Sequence, residues 1–317
     1  MLCATVTMAK QKEFEMAYVL QRSDTLPEAL RRVALEQIDI ALDAVEDSER
    51  PASLRIHRIR RCCKRLRGLL RLVEPGLKTS LNRDDKLLRK AMRRLVAYRD
   101  ARILWDTHQY VMVFPSPAGT DGLDSLSDQL YEAVDSLECS KACLEGLEKA
   151  AFDLEVIWER AAAWRLKGAA SKIIAAGYGL TYQRALDGQR EAYTKQDARS
   201  FHRWRAQVEY HHHHTRLLER AWPLAMMARA QAAEELAGCL GRANDLAVYT
   251  DFLITAGIAP ELVNILMARA LEQRTHLWAQ AEQLGQRLFH QPAKVIRKDM
   301  AVLWRLSEAS AATNESR

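Results

Sequence analysis

The sequence predicts an all-α protein made of two related helical halves, and three observations carry that expectation. Apolar residues recur at three-to-four spacing along most of the 317 positions. Strand signals are scarce, with no sustained alternation between hairpin turns and only 13 Gly and 8 Pro in the whole chain. The sequence also comes into register with itself, without a gap, when it is shifted so that His57 falls on His202.

That shift lays His57-Arg58-x-Arg60 over His202-Arg203-x-Arg205 and Arg71-Leu72-Val73-Glu74 over Arg216-Leu217-Leu218-Glu219. It also places Leu95 on Leu240, Asp100 on Asp245, Asp106 on Asp251 and Pro115 on Pro260. The expected organisation is two halves, 12–150 and 157–306, packed with pseudo-two-fold symmetry, and a polar tail, 307–317, expected to be disordered. The match of Pro115 to Pro260 makes PSPAGTDG, residues 115–122, a loop inside the first half and not a linker.

Taken in order, the first helix is announced by Asp24-Thr25-Leu26-Pro27-Glu28: a Thr cap, a Glu three residues on and an early Pro. Leu30, Val33, Ala34, Ile38, Ala41 and Val45 then form its apolar row. Next comes a helix rich in His and Arg, followed by one expected to stop near Val96, or near Gly241 in the second half, where Gly241 suits the position after a helix end. Asp100 and Asn244-Asp245 are expected to cap the helices that follow. About ten helices are expected in all.

Charge is unevenly spread. Net charge is +6, but residues 1–114 hold 23 Lys and Arg against 15 Asp and Glu, while the remainder holds 24 against 26. A basic excess confined to one part argues for a polyanionic partner: nucleic acid, an anionic membrane surface or polyphosphate. No run approaches the roughly 18 apolar residues of a membrane helix. The start, MLCATVTMAKQKEFEM, lacks the apolar core of a secretory leader, so a cytoplasmic protein without membrane partners is expected. Cys3, Cys62, Cys63, Cys139, Cys143 and Cys239 show no paired spacing and read as buried free thiols, with Cys139 and Cys143 packing on one helix.

The basic excess peaks in LRIHRIRRCCKRLRGLLRLVE, residues 54–74. At 100° per residue, His57, Arg60, Arg61, Lys64, Arg67 and Arg71 share an arc of about 120°, opposite Ile56, Ile59, Cys63, Leu66, Leu70 and Val73. The charged row extends for about 21 Å at 1.5 Å per residue. No carboxylate lies between Glu49 and Glu74 to relieve like-charge repulsion along the row, which favours a binding track over a merely solvated face, unless acids on other helices neutralise it. Arg predominates, and its planar fork suits phosphate oxygens. The second half dilutes the face: His202, Arg205 and Arg216 remain, but Lys64 maps to Glu209, Arg61 to Ala206 and Arg67 to His212. Trp204, Val208, His211, Thr215 and Leu218 form its packing stripe.

These stretches resemble the CHAD domain, the conserved histidine α-helical domain. HRIRRCCKRLRGLLRLVEPGL (57–77) follows that family's His-x-x-Arg-x-x-x-Lys-Arg-x-Arg pattern, and LVAYRDARIL (95–104) is similar to its Leu-x-x-x-Arg-Asp segment. FHRWRAQVEYHHHHTRLLERAWP (201–223), LGRANDLAVYTDFL (240–253) and LGQRLFHQPAKV (284–295) match in the second half. The resemblance implies a double helical bundle, a central cavity or groove lined by basic residues, and non-catalytic binding of inorganic polyphosphate, with association with polyphosphate granules. The basic positions it implies are His57, Arg60, Lys64, Arg65, Arg67, Arg71, Arg99, His202, Arg205 and Arg216, with Arg184 in GLTYQRA as a further one. Glu209, where the family usually has Lys, and Gln207, where Arg is common, depart from the pattern.

Binding of such a chain of charges is expected to follow charge neutralisation and counterion release. Residues 54–74 contain no aromatic residue for stacking bases, so nucleic acid is expected only as a generic polyanion competitor. Two other readings remain open: a phosphatase or polyphosphatase using His57 or His202, and a generic polyanion or nucleic-acid-binding adaptor. The first lacks a nucleophile motif and a carboxylate cluster for Mg²⁺. His211-His212-His213-His214 spreads over about 300° of a helix and builds no tidy chelate. No metal or other cofactor is expected.

Overall fold

The computed structural model describes residues 18–21, 24–77, 81–113, 122–138 and 140–315. The described residues are helical, with no strand among them: α1 (Leu26–Glu46), α2 (Ala52–Val73), α3 (Leu81–Arg94), α4 (Val96–Met112), α5 (Leu123–Glu138), α6 (Lys141–Ala161), α7 (Ala170–Lys195), α8 (Ala198–Leu217), α9 (Pro223–Thr255), α10 (Pro260–Leu288) and α11 (Ala293–Glu315). A short 3₁₀ turn, Glu219–Ala221, joins α8 to α9. No described helix is long and apolar enough to cross a membrane.

α1 begins as its residues dictate. The Thr25 backbone N–H and hydroxyl both donate to the Glu28 carboxylate, at 2.9 and 2.7 Å, and Pro27 sits in the first turn. Leu30, Val33, Ala34, Ile38 and Ala41 are buried, as their spacing requires. At the other end, Arg55 of α2 donates to the carbonyls of Ala44 (3.1 Å) and Val45, closing orphan acceptors of the α1 C-terminus.

α2 is not a surface helix. Thirteen of its 22 residues are buried, because α1, α3, α7 and α8 all pack against it. Ile56, Ile59, Cys63, Leu66, Leu70 and Val73 form the expected apolar side. The approach of α7 is so close that a Cβ on Gly177 would lie 1.8 Å from the Leu72 carbonyl oxygen, so only glycine fits. α8 meets α2 the same way: a Cβ on Gly68 would lie 2.6 Å from His213 Cβ. α1 also packs on α6, α7 on α8 and α11, α4 on α5, and α9 on α8 and α10. Buried residues from all eleven helices share one apolar core.

Three expectations about these elements change. The helix after α2 does stop at Leu95, where φ −108° and ψ 15° break it before α4 begins at Val96. Its counterpart, α9, runs 33 residues straight through Gly241. Asp100 lies inside α4, and Asn244 and Asp245 inside α9, so none caps a helix. Cap-forming residues are weak local signals, and a helix packed on both flanks overrides them. The third change is at the C-terminus, where α11 continues to Glu315 across the stretch expected to be disordered. The helix count agrees with expectation, eleven described α-helices where about ten are expected. Cys62, Cys63 and Cys239 are free and buried, and Cys143 is buried. Cys3, Cys139 and all of PSPAGTDG except Gly122 lie outside the described residues; that stretch joins α4 to α5.

Candidate functional site

The three helices α2, α4 and α8 line a half-open cavity of about 680 Å³, to which α3 adds Met92 and α9 adds Asp245. Helical spacing delivers its charges. Arg60, Lys64 and Arg67 follow one another on one face of α2, Arg99 and Arg102 come from α4, and Arg205 comes from α8. His57, His202 and His213 also line it. Against these six Lys or Arg stand three carboxylates, Asp106, Glu209 and Asp245.

The cations are held, not adrift. Arg60 donates to the Met92 carbonyl at 3.1 Å, which also accepts from the Leu95 N–H at 3.3 Å at the end of α3. Lys64 donates to Glu209 Oε1 at 3.0 Å, and Arg205 reaches the same oxygen at 3.1 Å. Arg67 donates to Asp85 of α3 at 2.7 Å, and its guanidinium lies 5.6 Å from the Tyr210 ring centre. Arg99 pairs with Asp100 at 2.8 Å, and Arg102 with Asp106 at 2.9 Å. His202 donates through Nδ1 to Asn244 at 2.8 Å. The neutralising acids that the sequence leaves open therefore exist: five of the six cations have a carboxylate partner, and Arg60 has a backbone carbonyl.

The titrations carry the imprint of burial and of the neighbouring cations. Burial lowers the pKa of Lys64, and Arg205 and Arg60 add to the shift against the pull of Glu209. Arg60 is lowered by burial and then by Arg99. His57 is lowered by burial and by Arg61, Lys64 and Arg60, which keeps its imidazole neutral near pH 7. Burial alone would raise Glu209, but Lys64 and Arg205 hold it below its ordinary value, so it stays ionised. Burial raises Asp245 in spite of Arg205.

Of the residues singled out from sequence, the fold brings His57, Arg60, Lys64, Arg67, Arg99, His202 and Arg205 into one cavity. The others lie elsewhere. Arg65 is buried away from the row, with Nη1 3.4 Å from Gln37 Oε1 and its guanidinium 5.0 Å from the Tyr18 ring centre; its place on α2 puts it on the packing side, so it is a structural residue. Arg71 is turned to Glu74 (3.3 Å) and Asp85 (3.5 Å), and Arg184 joins it on Glu74 at 3.0 Å. Arg216 pairs with Glu219 at 3.0 Å. Arg61 does not line the cavity, because its angle on α2 leads past the rim.

Some lining residues escape the sequence reading. Arg102 follows Arg99 by one helical turn, and Tyr210 and His213 continue the spacing of His202, Arg205, Ala206 and Glu209 on α8. Extending the helical projection from α2 to those two helices would find them. Tyr98 and Tyr210 also correct the expectation of a face without aromatic residues: none comes from α2, but the neighbouring helices supply two.

Apart from His213, which lines the cavity, the histidine tract belongs to packing. His211 and His214 are buried with Trp204, Val208, Thr215 and Leu218, the predicted stripe. His214 donates through Nε2 to the Gly68 carbonyl at 2.9 Å, while His212 reaches the Ala230 carbonyl at 3.0 Å. His211 sits among the rings of Tyr178, Tyr182 and Phe289. Among the described residues, no three His, Cys, Asp or Glu side chains are grouped as metal ligands.

Comparison with known proteins follows from this geometry. The family model described as the CHAD domain matches residues 29–254. No curated protein matches the sequence. Among solved structures, the chain is similar to the CHAD domain from the plant Ricinus communis, with 20% identity, a TM-score of 0.61, and coverage of 86% of this chain and 94% of that one. It is also similar to PptA from Streptomyces chartreusis, with 16% identity, a TM-score of 0.55, and coverage of 83% and 98%. At these identities the structures speak for the fold alone. Because the family match spans well over half of the chain, from the first turn of α1 to the last of α9, the chain belongs to the CHAD domain family.

Proposed function

We propose that the protein binds inorganic polyphosphate in the cavity between α2, α4 and α8 and does not transform it. The observation that carries this reading is the gathering of six Lys or Arg from three different helices, against three carboxylates in the lining, around one half-open space. Beyond the effect of burial, Arg99 lowers the titration of Arg60, Arg205 and Arg60 lower that of Lys64, and Arg61, Lys64 and Arg60 lower that of His57, so an added anion relieves repulsion that the fold otherwise sustains. A flexible row of phosphates can meet such cations one by one, with Arg forks supplying paired donors. Membership of a family linked to polyphosphate supports the same ligand. Binding requires phosphate to replace Glu209 as the partner of Lys64 and Arg205, which makes Glu209 an internal competitor. Attachment to polyphosphate granules in the cytoplasm would follow from the same chemistry.

We read the two halves as copies about a pseudo-two-fold axis through the α2–α8 crossing. Lys64 bonds to Glu209 and Gly68 abuts His213, and each pair joins positions that the sequence shift makes equivalent. Contact between equivalent positions is what a two-fold axis demands of residues beside it. The packing of α1 on α2 and α6 also has its counterpart in α7 on α8 and α11. The cavity then lies at the seam of the repeat, where both copies contribute charge.

Calorimetric titration with tripolyphosphate and with long-chain polyphosphate tests the function. Replacing Arg60 and Arg99 together by Gln is expected to weaken both ligands at least tenfold and to reduce the slope of log affinity against log salt by about 1.4, two contacts at about 0.7 each. Unchanged affinity and slope in a variant that melts normally would overturn the assignment. Phosphate release from polyphosphate with Mg²⁺ or Mn²⁺, lost on His57→Ala, would show a hydrolase instead. RNA that displaces polyphosphate at equal charge concentration would show a generic polyanion surface.

A further inference from the structure

The α3 helix separates the cavity from a second basic surface. Its acids, Asp84 and Asp85, are buried at 1% and 2% exposure, whereas Arg83, Lys86, Arg89, Arg93 and Arg94 are exposed and Lys90 is partly exposed. At 100° per residue these six cations occupy a continuous arc of about 140°, running outward from the edge that holds Asp85 and Met92. A solvated helix face ordinarily intersperses both signs. Here the acids point in and the cations point out. Asn82, Arg83, Lys86, Leu87, Arg89, Lys90 and Arg93, with Arg160 from α6, shape a shallow open groove without a carboxylate in its lining.

Two further observations point to what the groove receives. Asp153 binds Lys90 (2.7 Å) and Arg94 (3.7 Å) at the far edge, but Arg83, Lys86 and Arg93 have no carboxylate partner among the described residues. At the near edge the groove is chemically continuous with the cavity. The two oxygens of Asp85 are shared, Oδ1 with Arg67 at 2.7 Å and Oδ2 with Arg89 at 2.8 Å. Arg67 lines the cavity and Arg89 lines the groove, so one buried carboxylate fixes neighbouring guanidiniums on both sides of the rim.

We propose that the outer face of α3 carries a polyphosphate chain onward from the cavity, with Arg67 and Arg89 at the crossing and Arg83, Lys86 and Arg93 as the further phosphate contacts. This rests on the reading of the cavity as a polyphosphate site. It makes the protein a sensor of chain length: a short ligand fills the cavity alone, while a long one also engages α3.

The test compares the wild-type chain, the cavity variant Arg60→Gln/Arg99→Gln, and an outer variant Arg83→Gln/Lys86→Gln/Arg93→Gln, whose exposed positions leave the melting temperature unchanged. Each is titrated with tripolyphosphate, long-chain polyphosphate and single-stranded RNA. The outer variant is expected to keep wild-type affinity for tripolyphosphate. It should lose at least tenfold for the long chain, with a salt slope shallower by about 2, three contacts at about 0.7 each. Unchanged long-chain affinity and slope in the outer variant would overturn the proposal while leaving the cavity reading intact. Equal losses for both lengths would also overturn it, because the short ligand cannot reach α3 from the cavity. So would loss of RNA binding alone, which would assign α3 to nucleic acid. A wild-type chain that binds neither polyphosphate would reject the cavity reading and this extension with it.

Discussion

α2 and α8 face one another across the cavity with the same helical spacing and different chemistry. α2 offers Arg60, Lys64 and Arg67 to the space; α8 offers Arg205 but sets Glu209 opposite Lys64 and Tyr210 beside Arg67. The charged row of α2 depends on α8 to seat it, through Gly68 against His213 and the Gly68 carbonyl on His214. The difference teaches that the walls are not redundant. One concentrates positive charge, and the other packs tightly against it and limits the excess with a single ionised carboxylate.

The most damaging way to break that arrangement is to unseat α2. Gly177→Ala places a methyl 1.8 Å from the Leu72 carbonyl, a backbone clash that no rotamer relieves. It should cost about 3 kcal/mol of stability, at the upper end of overpacking effects, and urea unfolding would measure it. The same backbone shift should weaken binding through α2. A wild-type stability would show that α7 can move away freely.

A smaller effect isolates the packing role of α8. Burial lowers His214 to about 3, and its Nδ1 has no partner, so the folded state excludes the imidazolium. Below its unfolded value of 6.5 the denatured chain takes up a proton that the folded chain refuses. Stability is therefore lost as pH falls from about 6.5 toward the folded value, by about 2 kcal/mol per such site at about pH 5. Urea midpoints of the wild type and His214→Gln, compared at pH 7 and pH 5, should show a flatter dependence in the variant. Equal slopes would mean that His214 ionises within the fold.

The finest probe makes α8 more like α2 electrostatically. Glu209→Gln removes the carboxylate that competes with phosphate for Lys64 and Arg205. Affinity for tripolyphosphate should rise about tenfold, or about 1.4 kcal/mol. The unliganded protein should become less stable by about 1 kcal/mol, since partly buried cations lose a partner. Weaker binding would show that Glu209 orients the cations more than it competes with the ligand.

The contrast between legible and hidden features follows from how local their causes are. The capping box at Thr25, the apolar row of α1 and the buried side of α2 repeat with the helical period, so their placement is readable from spacing alone. The cation row on α2 and the diluted row on α8 are readable for the same reason. What spacing cannot report is the angle at which another helix arrives. Arg65 and Arg55 belong to the same basic run as Arg60, yet neighbouring elements bury both. Arg71 and Arg184, distant in sequence, meet on Glu74 outside the cavity.

By itself, the sequence determined that the chain is helical, that its positive charge is concentrated in the first part, and which faces of α2 and α8 would carry it. Periodicity and composition are local properties, and they survive into any packing. The tertiary structure alone decided that six of the cations share one space, that Glu209 and Asp85 hold three of them, and that α3 turns its acids inward and its bases outward. Those outcomes depend on close helix crossings such as those at Gly177 and Gly68. A crossing is set by the fit of two surfaces, which neither segment encodes on its own.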